Sequence, residues 1–292
     1  MSTVLQRVAF EQARHMTALS KFQLKLWGAR GGLPVSGRQF QKFGGNTICI
    51  EMRCGEHVIM FDAGSGALAA GQALAAEGCK ELTLYFTHTH YDHVCGLPFF
   101  KPMYCGQSQL KMWSGHMGPA MTTRQMLSEF MRKPFFPIGP DYCSARIDAR
   151  DFSAGDVLTP YPGVTIRTGM LNHPGNAVGY RVEFGGRSIA IITDTEHEPG
   201  TLDPAVLRLI DKVDLFLYDA TFLDEEMATF KGFGHSSWQQ AVRLAQTAGA
   251  KQVGFIHHSF NRTDAALSKI ERAAKRQFPG AFCGRDLQVI DI

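Results

Sequence analysis

The hexapeptide His88-Thr89-His90-Tyr91-Asp92-His93 sets the strongest constraint on what this chain can become. Ahead of it, Glu81-Leu82-Thr83-Leu84-Tyr85-Phe86 is an apolar stretch that reads as a buried strand; behind it, Val94-Cys95-Gly96-Leu97-Pro98 is a turn signal. The polar cluster therefore sits where a strand stops, the position at which α/β folds place their chemistry. Imidazole and carboxylate together are ligands for a borderline-soft divalent ion, with zinc the first choice. One short loop cannot aim all these side chains at a single ion. His88 and His90 can serve one metal, and Asp92 and His93 a second beside it.

The same punctuation recurs along the chain. His57 to Phe61 reads as a strand ending in Asp62-Ala63-Gly64, and Ser188 to Ile192 as one ending in Thr193-Asp194-Thr195. Leu215 to Tyr218 runs into Asp219-Ala220-Thr221, and Gln252 to Ile256 into His257-His258. One such residue at a strand end is usually a satisfied polar group; the repetition with metal-ligand types points to a site assembled from many strand ends. Further strands are expected at Lys21–Trp27, Ile48–Met52, Val164–Arg167, Val178–Phe184 and Leu287–Ile290. Helices are expected at Leu68–Glu77, Thr123–Arg132, Leu202–Ile210, Trp238–Thr247 with a Ser N-cap, and Asp264–Gln277. Strands and helices in this order fit a layered α/β fold.

Two stretches lack that regularity. Residues 1–20 suggest an amphipathic helical extension without the compact apolar core of a signal peptide. Residues 100–156 carry Met112, Trp113, Met117, Met121, Met126, Phe130, Met131, Phe135 and Phe136 among scattered Gly and Pro, and read as a helical insertion. That insertion is expected to wall a substrate pocket or to pack on the core. The 292 residues fit one large domain or two small ones, their 45% hydrophobic share is enough for a sizeable core, and a single domain is expected. The seven Cys are scattered and odd in number, which reads as reduced thiols in a cytoplasmic protein, with Cys95 no ligand. No apolar run reaches membrane-spanning length, so no membrane partner is expected. A net charge of +3 permits an anionic substrate but supplies no Lys/Arg block that would demand nucleic acid.

Taken together, these motifs resemble the metallo-β-lactamase superfamily. Its His-x-His-x-Asp-His motif is matched by His88, His90, Asp92 and His93, and its later His, Asp and His by His173, Asp194 and His257. The resemblance implies a four-layer αββα sandwich of two similar halves and a centre of two Zn2+ ions, with Mn2+ or Fe able to take the same ligands. It implies that His88, His90 and His173 hold one ion, that Asp92, His93 and His257 hold the other, and that Asp194 bridges them. His258 is the alternative to His257. Asp62, in the family's Asp-x-Gly motif, is expected to hold a ligand imidazole or a buried turn. His90 stands where the di-iron oxidoreductases of this fold carry Glu, which argues against that branch.

Tyr218-Asp219-Ala220-Thr221 and Gly234-His235-Ser236-Ser237 resemble paired motifs of the phosphodiesterase branch, which includes the tRNA 3′-processing endonucleases. By that resemblance Asp219 orients His235, which gives a proton to the leaving oxygen, and Asp92, His235 and Asp219 are the catalytic group. Those endonucleases carry a tRNA-gripping arm between the third and fourth metal motifs. Here one hairpin fills the interval from His173 to Asp194, which leaves no room for it. Arg30 is expected to meet a phosphate or brace a loop, and Asn46 belongs to a second glycine-rich turn resembling the small-molecule members.

The expected function is therefore a di-zinc hydrolase of a small anionic phosphodiester, such as a small or cyclic nucleotide, assembled as a homodimer. The alternatives are a nuclease acting on RNA or DNA ends, a lactone, thioester or β-lactam hydrolase, and a non-catalytic metal-binding or ligand-sensing module.

Overall fold

A computed structural model describes residues 21–292; the helix expected over residues 1–20 lies outside them. In chain order the strands are β1 (Phe22–Gly28), β2 (Arg30–Gly31), β3 (Cys49–Cys54), β4 (His57–Phe61), β5 (Glu81–Phe86), β6 (Gln109–Ser114), β7 (Arg146–Asp151) and β8 (Val157–Leu158). They continue as β9 (Val164–Leu171), β10 (Ala177–Phe184), β11 (Arg187–Ile192), β12 (Leu215–Asp219), β13 (Gln252–Ile256), β14 (His258–Ser259), β15 (Ala281–Cys283) and β16 (Val289–Asp291). The helices are α1 (Ala67–Ala76), α2 (Tyr91–Val94), α3 (Thr123–Phe130), α4 (Pro204–Ile210), α5 (Trp238–Ala248) and α6 (Asp264–Gln277).

Two seven-stranded sheets result, one in the order β16-β1-β3-β4-β5-β6-β7 and the other β15-β13-β12-β11-β10-β9-β8. Each is antiparallel along one half and parallel along the other. In the first, β4 through β7 run parallel; in the second, β11, β12, β13 and β15 do. The two-residue period of the strands divides the apolar side chains between layers. Leu215, Leu217, Ile189 and Ile191 point into the seam between the sheets, against Leu24, Leu26, Ile50, Ile59 and Phe61. Their neighbours Phe216, Tyr218, Ala190 and Ile192 point outward under α4, α5 and α6. On the other flank, Ala67, Ala70 and Leu74 of α1 cover Met60, Leu82 and Leu84. The outcome is the four-layer αββα sandwich.

Parallel neighbours end at the same edge of a sheet. That is why β4 and β5, and β11, β12 and β13, deliver the residues after them to one rim. Two hydrogen bonds stitch the sheets together next to the hexapeptide: the Tyr180 hydroxyl donates to the Phe86 carbonyl at 2.5 Å, and the Val178 N–H to the Thr87 carbonyl at 2.9 Å.

The segment 100–156 departs from the helical insertion expected of it. It supplies β6 and β7, the edge of the first sheet, and a single helix of standard length, α3. Met112, Met126 and Met131 are buried in the core beside α1, and Trp113 packs against the seam. The dense Met and aromatic side chains there serve packing, and Phe135 is exposed. Only His116 reaches toward the hexapeptide, where its Nε2 lies 3.1 Å from the Thr89 hydroxyl. No helix among the described residues is long and apolar enough to cross a membrane, and all seven thiols are free.

The Tyr180→Phe substitution removes the cross-sheet hydrogen bond while keeping the ring. It is expected to destabilise the fold by about 1–3 kcal/mol, the cost of leaving a buried carbonyl without its donor. The check is a lower urea midpoint with an unchanged denaturant slope.

Candidate metal centre

The residues following β4, β11 and β13 share an unusual backbone. Asp62 (φ 58°), Asp194 (φ 52°) and His257 (φ 56°) all adopt the left-handed conformation. Asp and His tolerate it better than most side chains, yet it carries strain that tends to collect at functional sites. The hexapeptide spans the end of β5 and the short helix α2, which carries Asp92 and His93. His173 follows β9, and His235 precedes α5, whose N-cap is Ser237, accepting from the Gln240 N–H at 3.1 Å.

These side chains converge on one volume. Donor atoms of His88, His90 and His173 lie within 4.8 Å of one another, and so do those of Asp92, His93 and His257. The Asp194 carboxylate stands between the two sets: its oxygens lie 3.2 Å from His93 Nε2, 3.3 Å from His257 Nε2, 3.7 Å from His88 Nε2 and 3.9 Å from His173 Nε2. His173 Nε2 is 3.0 Å from His90 Nδ1, and His257 Nε2 is 3.0 Å from Asp92 Oδ2.

Hydrogen-bond accounting fixes which nitrogen each ring turns inward. His93 Nδ1 donates to Asp62 at 2.8 Å, and His173 Nδ1 to the Gly234 carbonyl at 2.8 Å. Thr87 spends its hydroxyl hydrogen on Asp62, so it accepts from His88 Nδ1 at 3.1 Å. Thr221 likewise spends its hydrogen on an oxygen acceptor, Asp219 or the His257 carbonyl, and accepts from His257 Nδ1 at 2.8 Å. With Nδ1 bound to an acceptor in all these rings, Nε2 is the nitrogen that faces the shared volume, and in the neutral ring it carries the lone pair. The Nε2 atoms of His88 and His93 are buried and make no hydrogen bond. Orphaned imidazole nitrogens beside buried carboxylates are a donor set for a divalent cation, and two such clusters lie side by side here.

Charge tells the same story. Burial, and then its neighbour His93, push the His88 pKa well down; burial also lowers His90 and His173. Burial would lower His93 too, but Asp194, Asp92 and Asp62 outweigh it and hold that ring well above its ordinary value. Burial opposes ionisation of Asp194, while His257, His93 and His88 drive its carboxyl far below the usual range. The pocket is thus a buried, anion-rich place that attracts positive charge.

Beside it, His235 Nδ1 donates to Asp219 Oδ2 at 2.8 Å. Burial would lower this imidazole; the Asp219 carboxylate overrides it and raises the pKa to about 9. The His235 side chain keeps 18% of its surface exposed, against 3% or less for His88, His93, His173 and His257. The loop that carries it is clamped: Glu196 accepts the Gly232 and Gly234 N–H groups at 2.9 and 2.8 Å, and the Gly234 carbonyl takes the His173 proton. A Cβ on Gly234 would stand 2.2 Å from His173 Nδ1, so only glycine fits there.

Of the two candidates for the last ring, His257 faces the cluster. His258 turns away, donates to the Gly284 carbonyl at 2.9 Å, and burial takes its pKa down to about 3. Arg30 and Asn46 are not brought to the centre. Arg30 is fully buried and donates to the carbonyls of Gly44, Ser259 and Arg262, which braces a loop and leaves no approach for a phosphate. Its Nε and Nη1 donate to carbonyls from segments far apart in the chain, which sequence spacing could not show. Asn46 bonds to Asp286 and Ser65. Asp62 accepts from His93 Nδ1 behind the cluster. The sequence signals no role for Thr87, Thr221 or Glu196: Thr87 precedes the hexapeptide, Thr221 closes the motif Tyr218-Asp219-Ala220-Thr221, and Glu196 carries no local signal.

The β-lactamase superfamily domain matches residues 57–258. The chain is 30% identical over 278 residues to the ribonuclease Z of Lactiplantibacillus plantarum, covering 80% of this chain and 88% of that one. Among solved structures it resembles the metallo-β-lactamase fold protein YhfI from Bacillus subtilis, with TM-score 0.70 and 17% identity over 93% of this chain and 100% of that one. It also resembles a diphosphatase from the PhnP family, with TM-score 0.66 and 17% identity over 93% and 98%.

If the inward rings bind metal, the two adjacent histidines must behave differently. His257→Ala is expected to remove about one of two bound metal equivalents, whereas His258→Gln, which keeps a donor for Gly284, leaves the metal content unchanged. Elemental analysis of gently purified protein distinguishes them.

Proposed function

The chain belongs to the metallo-β-lactamase superfamily, and from that membership we propose that it is a two-metal phosphodiesterase acting at RNA or DNA ends. The observation that carries this reading is the Asp219–His235 pair at the rim of the cluster. A lactone, thioester or β-lactam has no need of a charged imidazole held ready beside the metals. A phosphodiester with an alkoxide leaving group does. The ribonuclease Z relative supports the nuclease over the small-nucleotide reading.

His88, His90 and His173 would hold one ion, Asp92, His93 and His257 the second, with Asp194 between them. Zinc suits these ligands, and manganese or iron can take them. Two divalent ions so held would supply an activated water near neutral pH and positive charge for the phosphoryl oxygens. The chain's own residues do the rest. Asp92 is fixed by the Gly32 N–H at 2.7 Å. Thr87, Thr221, Asp62 and the Gly234 carbonyl keep the ligand rings in one orientation. Asp219 binds the Nδ1 proton of His235, which leaves Nε2–H to protonate the departing oxygen.

The hairpin of β10 and β11 favours a second reading. It closes at Gly185-Gly186 with Phe184 paired to Arg187, so the interval from His173 to Asp194 holds no arm for gripping a folded tRNA. A small or cyclic nucleotide needs no such arm. The deciding experiment is turnover by metal-loaded protein of single-stranded RNA with a 3′ extension against cyclic nucleotides. The nuclease reading expects the higher kcat/KM on RNA. Cyclic nucleotides alone would select the second reading, and turnover confined to lactones or thioesters would end both.

His235→Ala should keep both metals and lose roughly 10²–10⁴-fold in rate on an alkyl phosphodiester. An activated aryl phosphodiester, whose leaving group departs unprotonated, should lose far less. Asp219→Asn should follow the same pattern more mildly. Equal losses on both substrates would remove His235 from the role of acid.

A further inference from the structure

Next to the acid lies a cleft of about 220 Å3 that the roles above leave unused. His235 and His257, stacked with ring centroids 4.7 Å apart, belong to its lining, so it is continuous with the metal centre. Its other walls are aromatic. Phe222 and Phe230 lie parallel at 4.6 Å, with Phe233 edge-on to Phe230 at 5.6 Å. Phe260 comes from a separate segment, after β14, and lies over Gly32, where a Cβ would stand 2.9 Å from its ring. Phe233 is 60% exposed and Phe260 41% exposed.

Isolated exposed apolar side chains are ordinary. Two phenylalanines from distant parts of the chain that line the same cleft beside a hydrolytic centre are a platform for a planar group. The cleft is smaller than the roughly 300–1,000 Å3 that encloses a whole small molecule, so it takes one ring system of a larger substrate. Its side belongs to the leaving group, because His235, the proton donor to the departing oxygen, is part of its wall.

We propose that this cleft is the binding site for the nucleobase of the departing nucleotide, held by stacking on Phe260 and Phe233. This rests on the phosphodiesterase reading and deepens it. Stacking on aromatic side chains tolerates every base, since each has a π-face. The lining polar groups, among them Asn261 and Ser259, are few. The site therefore distinguishes a nucleotide from a base-free leaving group more than one base from another.

The test has two arms on metal-loaded protein. In the first, 2-aminopurine riboside, which contains no diester, is titrated and its fluorescence followed. Saturable quenching is expected, with affinity falling roughly 5- to 100-fold in Phe260→Ala and Phe233→Ala. Phe260→Trp should restore it and Phe260→Leu should not, which separates stacking from plain apolar contact. No quenching, or quenching indifferent to both rings, overturns the proposal. In the second arm, two diesters are compared that differ only in whether the departing ribose carries a base. The kcat/KM ratio favours the base in wild type and falls by a similar factor in Phe260→Ala. A ratio near one in wild type overturns the proposal while leaving the phosphodiesterase reading standing. Quenching without turnover of any diester sinks that reading and keeps the cleft as a base site.

Discussion

Everything at the centre of this protein follows from how the outward nitrogens of its buried imidazoles are occupied. His88, His93, His173 and His257 each lose Nδ1 to a fixed acceptor: Thr87, Asp62, the Gly234 carbonyl and Thr221. That leaves the Nε2 lone pairs facing one another around Asp194, an arrangement that is costly unless a cation completes it. The acceptors are therefore as much a part of the site as the rings. Asp62 serves His93 directly and His88 through Thr87, while Asp219 serves His235 directly and accepts the N–H of Thr221, the residue that holds His257. Two carboxylates behind the rings thus set the orientation of both halves of the centre and of His235 beside it.

The fold exists, in this light, to bring strand ends to one rim. Parallel pairing aligns the ends of β4 with β5 and of β11 with β12 and β13, and the inter-sheet seam holds the two rims together. The left-handed turns at Asp194 and His257 carry side chains that face the shared volume, and the one at Asp62 carries the carboxylate that sits behind His93. The residue types that bind metal are among the few that accept that conformation without a glycine, so ligand chemistry and backbone chemistry agree at the same positions. The clamp of Glu196 on Gly232 and Gly234, with His173 bonded to the Gly234 carbonyl, ties the His235 loop to a metal-facing ring.

Much of this was legible in the sequence because the signals are local. The hexapeptide, the apolar strands and the polar residue after each of them lie within a few positions of one another. The αββα layering followed from the order of elements and from the family resemblance. What escaped was non-local. β7, Arg146–Asp151, is a largely polar edge strand and gives no apolar alternation, so with β6 it was submerged in a supposed helical insertion. Arg30 looked available to a phosphate because the carbonyls that consume it come from residues far along the chain. The aromatic cleft joins Phe222, Phe230 and Phe233 to Phe260 across a helix and two strands, and no periodicity announces such a meeting.

The inward-facing donors divide into two sets about Asp194. Anomalous diffraction at the zinc absorption edge, from crystals of the metal-loaded protein, reads that division directly. It should show two peaks per chain, one among His88, His90 and His173 and one among Asp92, His93 and His257, with Asp194 between them. A single peak at full occupancy, or a second peak away from Asp92, His93 and His257, would contradict it.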